Sequence, residues 1–533
     1  MLVVSVAEMR AAEAAALAAG ISEARLQARA GAAVAAHTQK LRPDGLVTVL
    51  VGVGNNGRDA WVAACALGRV GREVRLYLAP RHALTEGEIR AIEGLGGQVL
   101  LHSGADTLEK LARWLEDSAV AVDGLLGIGA HGAPRPPLAD IARTLNAVRT
   151  SVGSRLRVLA VDVPSGIDAD SGAAEGECVQ ADVTVVLGGL KQGLLRFPAA
   201  ARAGVLLAGD IGLPPVEQVT PSIRTLDRGL VMPDAPRRPV EGHKGSFGRV
   251  VVVGGSRDYY GAPYLAGAAA LRSGCGLLAF AVAPPLQAVL AGLLPEATYL
   301  VLPDNAPVDR TSKAAATVLQ ALRDAQALLI GPGLGRSEGA MQLVESIVVE
   351  REPNSAGVPA VIDADALFAL AQRPALLDYL GPGVVLTPHH GEMARLTGQE
   401  TGAIAASPWD VARDAARRWG AVVVLKGPFT VVAVPSGEAW VWPRANPALA
   451  TGGTGDVLAG TIAGLLAQGL DAAAAARVSV YVHATAALAH LAAAGTDLLL
   501  ASDLPAAIAR QLGQLRAERG DPGTLTTEES AWT

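Results

Sequence analysis

Short β-branched runs recur along this chain, each separated from the next by an Ala/Leu-rich segment, and this alternation sets the narrowest bound on its fold. Val47-Thr48-Val49-Leu50-Val51, Val74-Arg75-Leu76-Tyr77-Leu78, Val158-Leu159-Ala160-Val161 and Val183-Thr184-Val185-Val186-Leu187 occupy the first part. Strands apolar on both faces with helical spacers predict parallel sheets covered by helices on both sides. The rhythm breaks between Leu213 and Pro239, where Pro214, Pro215, Pro221, Pro233, Pro236 and Pro239 crowd together. It restarts with Val250-Val251-Val252-Val253 and continues through Ala327–Ile330, Ala360–Ile362, Gly383–Leu386 and Ala421–Leu425. The predicted organisation is one α/β domain over 1–213, a Pro-rich linker over 214–240, a second α/β domain over 241–519 and a polar, disordered tail over 520–533.

The 533 residues exceed what one core holds. A net charge of −6 without a basic stripe argues against a nucleic-acid partner. Cys65, Cys178 and Cys275 show neither metal nor disulfide spacing, which points to a reducing cytoplasm. Ser5-Val6-Ala7-Glu8 reads as a capping box opening a helix, not as an export signal. Two charge-free stretches approach bilayer length. One, between Arg272 and Glu296, is broken by Pro284-Pro285; the other, between Arg477 and Asp497, is alanine-rich and carries His483 and His490. Both are expected to be buried core segments, with no membrane partner.

The run Asn446 to Gly460 contains Thr451-Gly452-Gly453-Thr454-Gly455-Asp456 directly before an apolar segment. A helix start offers unpaired N–H groups and partial positive charge to phosphate oxygens, and glycines let the backbone come close. Asp456 would then stand beside a transferring phosphoryl group as a base. Other strand-end loops can converge with it: Gly331 to Gly335, Asp363-Ala364-Asp365, Thr387 to Glu392 and Lys426 to Thr430. They supply a cation, carboxylates, a histidine and glycine-lined surfaces, which suits nucleotide-dependent phosphoryl transfer without a Walker A loop. Asp363 and Asp365 serve equally well as helix caps.

The first half has its own loop, Gly52-Val53-Gly54-Asn55-Asn56-Gly57-Arg58-Asp59. It satisfies G-x-G-x-x-G, but the following strand ends without the acid a dinucleotide fold wants. Val122-Asp123-Gly124 and Val161-Asp162-Val163-Pro164-Ser165 each put an aspartate at a strand end. Asn56, Asp123 and Ser165 form an oxygen set suited to a monovalent cation, with Asp162 facing a ligand; both aspartates equally suit turn capping.

The C-terminal half resembles the ribokinase-like family and, within it, closely resembles the ADP-dependent NAD(P)H-hydrate dehydratases. The residues that carry the likeness are Gly242 to Gly245, Tyr260 to Ala262, Gly331 to Gly335, Thr387 to Glu392, Lys426 to Thr430 and Asn446 to Gly460. The resemblance implies that Ala262, Gly335, His389 and Asp456 contact the hydrated nicotinamide nucleotide. It implies that Lys426, Gly427, Pro428, Phe429, Thr430 and Gly455 hold ADP, the phosphoryl donor, with Mg2+ accompanying it. His390 stands where proline is frequent, and Phe368 where asparagine is common.

The N-terminal half resembles the NAD(P)H-hydrate epimerases through Asn55 to Asp59, Asp123, Gly127 to Ala133, Asp162 to Asp168, Lys191 and Gly209 to Gly212. That match implies K+ at Asn56, Asp123 and Ser165. It implies substrate contacts from Asn55, Asn56, Gly57, Arg58, Asp59, Gly127, Ile128, Gly129, Ala130, His131, Gly132, Ala133 and Asp162, with Asp162 moving protons. Arg58 and Ala60 replace two glycines of the usual loop; Arg58 either crowds the phosphate site or pairs with a phosphate.

The implied architecture is a Rossmann-like three-layer αβα domain followed by a ribokinase-like three-layer αβα domain. The implied activity is epimerisation of hydrated NADH and NADPH, then ADP-driven dehydration of the S form, in a cytoplasmic homo-oligomer. The alternative is a ribokinase-like kinase for a small alcohol, such as a vitamin precursor, carrying a non-catalytic nucleotide-binding N-terminal domain.

Overall fold

The computed structural model describes residues 1–520 apart from residues 83, 214–222, 303–312 and 352–356. Two compact units, Met1–Ser222 and Ile223–Thr533, divide the chain. The tail expected beyond Gly520 and residues 214–222 of the expected linker lie outside the described residues.

In the first unit seven parallel strands stand in the spatial order Gln98–Leu101, Val74–Leu78, Leu46–Val51, Ser118–Gly124, Arg157–Val161, Val183–Leu187 and Val205–Gly209. Successive side chains on a strand point to opposite faces. Val47, Val49 and Val51 accordingly meet Val34, Ala60, Ala63 and Leu67 of helices Glu23–Leu41 and Asn55–Arg69. Leu50, Ala121 and Ala160 face Leu111, Leu115, Ile141 and Leu145 of helices Ala105–Asp117 and Leu138–Thr150. The result is three layers, as the two-sided apolar strands require.

In the second unit the spatial order is Thr298–Val301, Leu277–Val282, Arg249–Val253, Ala327–Ile330, Ala360–Ile362, Val384–Leu386, Val422–Leu425, Val431–Ala433, Ala439–Val441 and Ile223–Thr225. Pairing is parallel up to Val422–Leu425; Val431–Ala433 and its two flanking strands then pair antiparallel. The last strand corrects the linker expectation. Ile223–Thr225 runs parallel to Ala439–Val441, and Leu226, Val231 and Ala235 enter the core. Prolines conceal this because they interrupt helical periodicity without preventing a three-residue strand or one short turn.

Helices Gly261–Ser273, Thr454–Ala467, Ala472–Ala494 and Leu504–Glu518 share one core with the sheet. The first two approach closely through glycine. A Cβ on Gly460 would stand 2.0 Å from the Ala266 carbonyl oxygen, and one on Gly464 would stand 2.6 Å from that of Ala270. Both glycines meet residues in the same chain order, so these helices run parallel. The apolar segment 477–497 falls largely in helix Ala472–Ala494, long and apolar enough to cross a membrane, whose Val478, Val482, Ala486 and Ala487 are core residues. The segment 272–296 spans a helix end, strand Leu277–Val282 and helix Pro284–Leu293.

Candidate active sites

Four adjacent strands of the second unit, Ala327–Ile330, Ala360–Ile362, Val384–Leu386 and Val422–Leu425, end beside one another. Parallel pairing brings their C-terminal loops to one edge, where ligands gather in open α/β sheets. Lys426 follows the last strand, and its Nζ donates to Asp363 Oδ1 at 2.9 Å and lies 3.9 Å from Glu392 Oε2. Asp363 is 1% exposed and makes no capping bond to the helix it precedes. The capping reading therefore does not hold for Asp363, whose carboxylate pairs with Lys426 instead. Asp365 accepts from the Gly335 N–H at 3.0 Å and from Arg336 Nε at 2.9 Å, and so ties the third glycine of the GPGLG loop to this group. Gly331 is required here, because a Cβ would stand 1.9 Å from the Asp363 carbonyl oxygen.

Asp456 lies in the first turn of helix Thr454–Ala467, after Gly453 at φ 93°. Burial, then the Asp363 carboxylate, with smaller contributions from Asp365 and Glu392, push its carboxyl up to about 7, against the pull of Lys426. A base poised near neutrality is what proton abstraction at physiological pH needs. Lys426 Nζ would come within 3.3 Å of a Cβ on Gly455, so the cation lies beneath the loop itself. Thr454 Oγ1 donates to the Leu449 and Thr451 carbonyls at 2.8 and 2.9 Å. The Thr454 carbonyl accepts from His483 Nε2 at 3.0 Å, and burial lowers His483 to about 4. The loop is therefore held from inside by a neutral histidine, which in the sequence is one polar residue within an apolar helix.

His389 caps helix His390–Thr397: its Nδ1 accepts from the Gly391 and Glu392 N–H groups at 3.0 and 3.3 Å. The ring proton then resides on Nε2, and burial followed by the Lys426 charge lowers its basicity. Gly427 packs against His390, while Gly427, Pro428 and Thr430 line a small cleft with Trp442, Asn446 and His483. The Phe429 ring is buried. Ala262 sits in the first turn of its helix beside Gly333, across the GPGLG loop from Asp365.

The first unit repeats the logic. Strands Leu46–Val51, Ser118–Gly124, Arg157–Val161 and Val183–Leu187 are adjacent, and a cavity of about 620 Å³ opens at their C-terminal ends. Asn55, Asn56, Asp59, Gly127, Ile128, Gly129, Ala130 and Asp162 line it. Asp162 adopts φ 64°, a left-handed conformation rare for a residue with a side chain, and such strain persists where function demands it. Its Oδ1 accepts from Lys191 Nζ at 2.5 Å and from the Leu187 N–H at 2.9 Å; Lys191 is wholly buried. Burial, then the Asp162 and Glu13 charges, raise Asp59 to about 8. Sequence reading missed Glu13, which enters from helix Val6–Ala18 and is itself raised by burial.

Asp123 is fully buried and accepts from Ser165 Oγ at 2.6 Å, the Ser165 N–H at 2.8 Å and the Leu125 N–H at 3.2 Å. Asn56 Nδ2 donates to the Leu126 carbonyl at 2.7 Å. Gly57, Arg58, His131, Gly132 and Ala133 are not among the cavity-lining residues. Arg58 bonds Glu88 Oε1 at 2.7 Å, so its charge is directed to helix Glu86–Gly94. Ala60 fits because Gly124 leaves room: a Cβ there would meet the Ala60 methyl at 2.4 Å. His131 Nδ1 lies 2.7 Å from Asp168 Oδ2.

Comparison with known proteins divides at the same place. Residues 23–193 match the family model described as YjeF-related protein N-terminus, and residues 250–510 match that described as NAD(P)H-hydrate dehydratase. The chain is 37% identical over 464 residues to a bifunctional NAD(P)H-hydrate repair enzyme of Moorella thermoacetica, with 86% of each covered. It is 34% identical over 503 residues to that of Coxiella burnetii, covering 93% of this chain and 96% of the relative. A solved ADP/ATP-dependent NAD(P)H-hydrate dehydratase from Bacillus subtilis, co-crystallized with ATP/Mg2+, is 31% identical, with a TM-score of 0.47 over 55% of this chain and 98% of that one. The chain belongs to the family of bifunctional NAD(P)H-hydrate repair enzymes.

Proposed function

We propose that the second unit dehydrates hydrated NAD(P)H at the expense of ADP and that the first interconverts its R and S epimers. The observation that carries the reading is Asp456, poised near neutrality at a glycine-rich helix start beside Lys426. Asp456 takes the proton from the hydroxyl of the hydrated ring as that oxygen attacks the terminal phosphorus of ADP. The bridging P–O bond breaks and AMP leaves. The C–O bond of the resulting phosphate ester then breaks, a ring proton departs, and NAD(P)H and phosphate are released. Loop N–H groups and Lys426 stabilise the charge that develops on phosphate. His389 Nε2–H and Ala262 face the substrate side, and Lys426 to Thr430 with Gly455 hold the nucleotide. Family membership favours this reading over the small-alcohol kinase.

In the first unit Asp162, ion-paired to Lys191, is the proton-moving residue, and Asp59 supplies a carboxyl that keeps its proton at neutral pH. Asp123 suits a cation: it is a buried carboxylate with Ser165 Oγ at 2.6 Å, and that hydroxyl in turn lies 3.4 Å from the Leu126 carbonyl oxygen. Asn56, Asp123 and Ser165 would hold K+, which would supply charge balance for that carboxylate. No group of three His, Cys, Asp or Glu suited to a metal occurs among the described residues, so Mg2+ would be carried chiefly by the nucleotide's phosphates. A homo-oligomer in the cytoplasm completes the proposal.

The test follows the absorbance of reduced nicotinamide with purified R and S hydrates plus ADP or ATP. Regeneration from both epimers is the expected result. No regeneration with either nucleotide refutes the dehydratase reading, and recovery of the S portion alone refutes the epimerase reading.

A further inference from the structure

The cavity of the first unit is lined by four carboxylates, Glu13, Glu23, Asp59 and Asp162, and by a single basic side chain, Arg10. Asp59 keeps its proton at neutral pH and Asp162 is paired with Lys191, which leaves Glu13 and Glu23 to repel the diphosphate of an entering dinucleotide unless a cation offsets them. We propose that Arg10 binds a phosphate of the dinucleotide in this site, an assignment that rests on the epimerase reading of the cavity.

Three observations place it there. Arg10 Nη2 lies 3.5 Å from where a Cβ on Gly129 would stand, so the guanidinium flanks the Gly127–Ala130 turn. The N–H groups of Gly127, Ile128 and Gly129 find no acceptor among the described residues; only Ala130 closes the turn, onto the Gly127 carbonyl at 3.0 Å. Arg10 itself makes no hydrogen bond or ion pair among the described residues, and its charge acts on Glu13, three residues along the same helix, only through space. A guanidinium with no hydrogen-bond partner, flanking a turn with three unbonded amides, can serve as a phosphate cradle, with the fork geometry that binds two phosphate oxygens at once.

The helix is fixed for this purpose. The Ser5–Glu8 capping box sets its first turn, and the Val6 N–H donates to Asp170 Oδ1 at 2.8 Å. Asp170 belongs to the segment that begins at Asp162, so the helix carrying Arg10 is tied to the loop carrying the proposed proton-moving residue. Met9 packs on Gly188, next to the strand end that holds Lys191. Arg10 precedes residue 23, where the matched family model begins, so that match does not assign it.

The experiment measures R-to-S interconversion chromatographically without ADP, using the full chain and purified R epimer over a range of concentrations. Arg10→Met should lower kcat/KM at least about tenfold, carried by KM, since a charge-assisted phosphate bond contributes that much. Arg10→Lys should recover part of the loss, and the wild-type KM should rise with salt more steeply than that of Arg10→Met. Dehydration of the S epimer with ADP monitors the second unit in the same samples and should not change. A KM for Arg10→Met within twofold of wild type, while wild-type protein still accelerates interconversion, overturns the Arg10 assignment alone. Wild-type protein that leaves the R epimer at its spontaneous rate overturns the epimerase reading and this assignment with it.

Discussion

Replacing Asp456 by asparagine should stabilise the second unit above neutral pH while abolishing dehydration. Burial and the neighbouring carboxylates raise this group from 3.8 to about 7. Between those two values the folded protein keeps a proton that the unfolded chain has lost, so stability falls as pH rises. Above about 7 the penalty is complete. A shift of about three units at 1.36 kcal/mol each amounts to roughly 4 kcal/mol, and partial solvent access reduces it to about 2 to 4 kcal/mol. Asparagine keeps the shape and never ionises. The Asp456→Asn protein should therefore exceed wild type by that amount at about pH 8.5, and the difference should fade toward pH 4. Urea denaturation followed by tryptophan emission reads it, because Trp409, Trp419, Trp440 and Trp442 all lie in the second unit, against Trp61 and Trp114 in the first. A variant no more stable than wild type at the higher pH, or an advantage independent of pH, refutes the account of Asp456 as a strained ionisable group.

Three further outcomes follow from the same geometry. The rate of dehydration at saturating substrate should fall below about pH 7 as Asp456 takes up its proton; removing the positive charge in Lys426→Gln should move that limb to higher pH, measured by pH–rate profiles. His483 is lowered from 6.5 to about 4, so its contribution to stability is present above 6.5 and is lost as pH falls toward 4. The stability advantage of wild type over His483→Phe should accordingly shrink by about 3 kcal/mol across that window in urea titrations. Gly460→Ala places a methyl 2.0 Å from the Ala266 carbonyl oxygen and should cost about 1 to 3 kcal/mol by overpacking, read by calorimetry.

The sheets were legible because parallel strands buried on both faces read as unbroken apolar runs, and the glycine loops because few other sequences suit strand-end anion sites. Partnerships across the fold were not. Asp363 and Lys426 stand 63 residues apart and meet only because their strands flank Val384–Leu386. Arg58 left two sequence readings open, phosphate partner or steric intruder, and the structure pairs it with Glu88 of the next helix. Glu13 and Arg10 reach the cavity from a helix whose pattern marked only its capping box. The second unit's first strand was hidden by prolines that disrupt periodicity but leave Ile223–Thr225 free to pair.

The glycine contacts that bring helices Gly261–Ser273 and Thr454–Ala467 together also align their dipoles side by side. Parallel neighbours repel, since each presents positive partial charge at the same end. That shared end carries Ala262 on one helix and Gly455 and Asp456 on the other. A diphosphate bound at that shared end would offset the repulsion, so nucleotide should act as a stabilising ligand of the second unit as well as a reactant. Thermal unfolding should split accordingly: ADP should raise the transition of the second unit and leave that of the first in place.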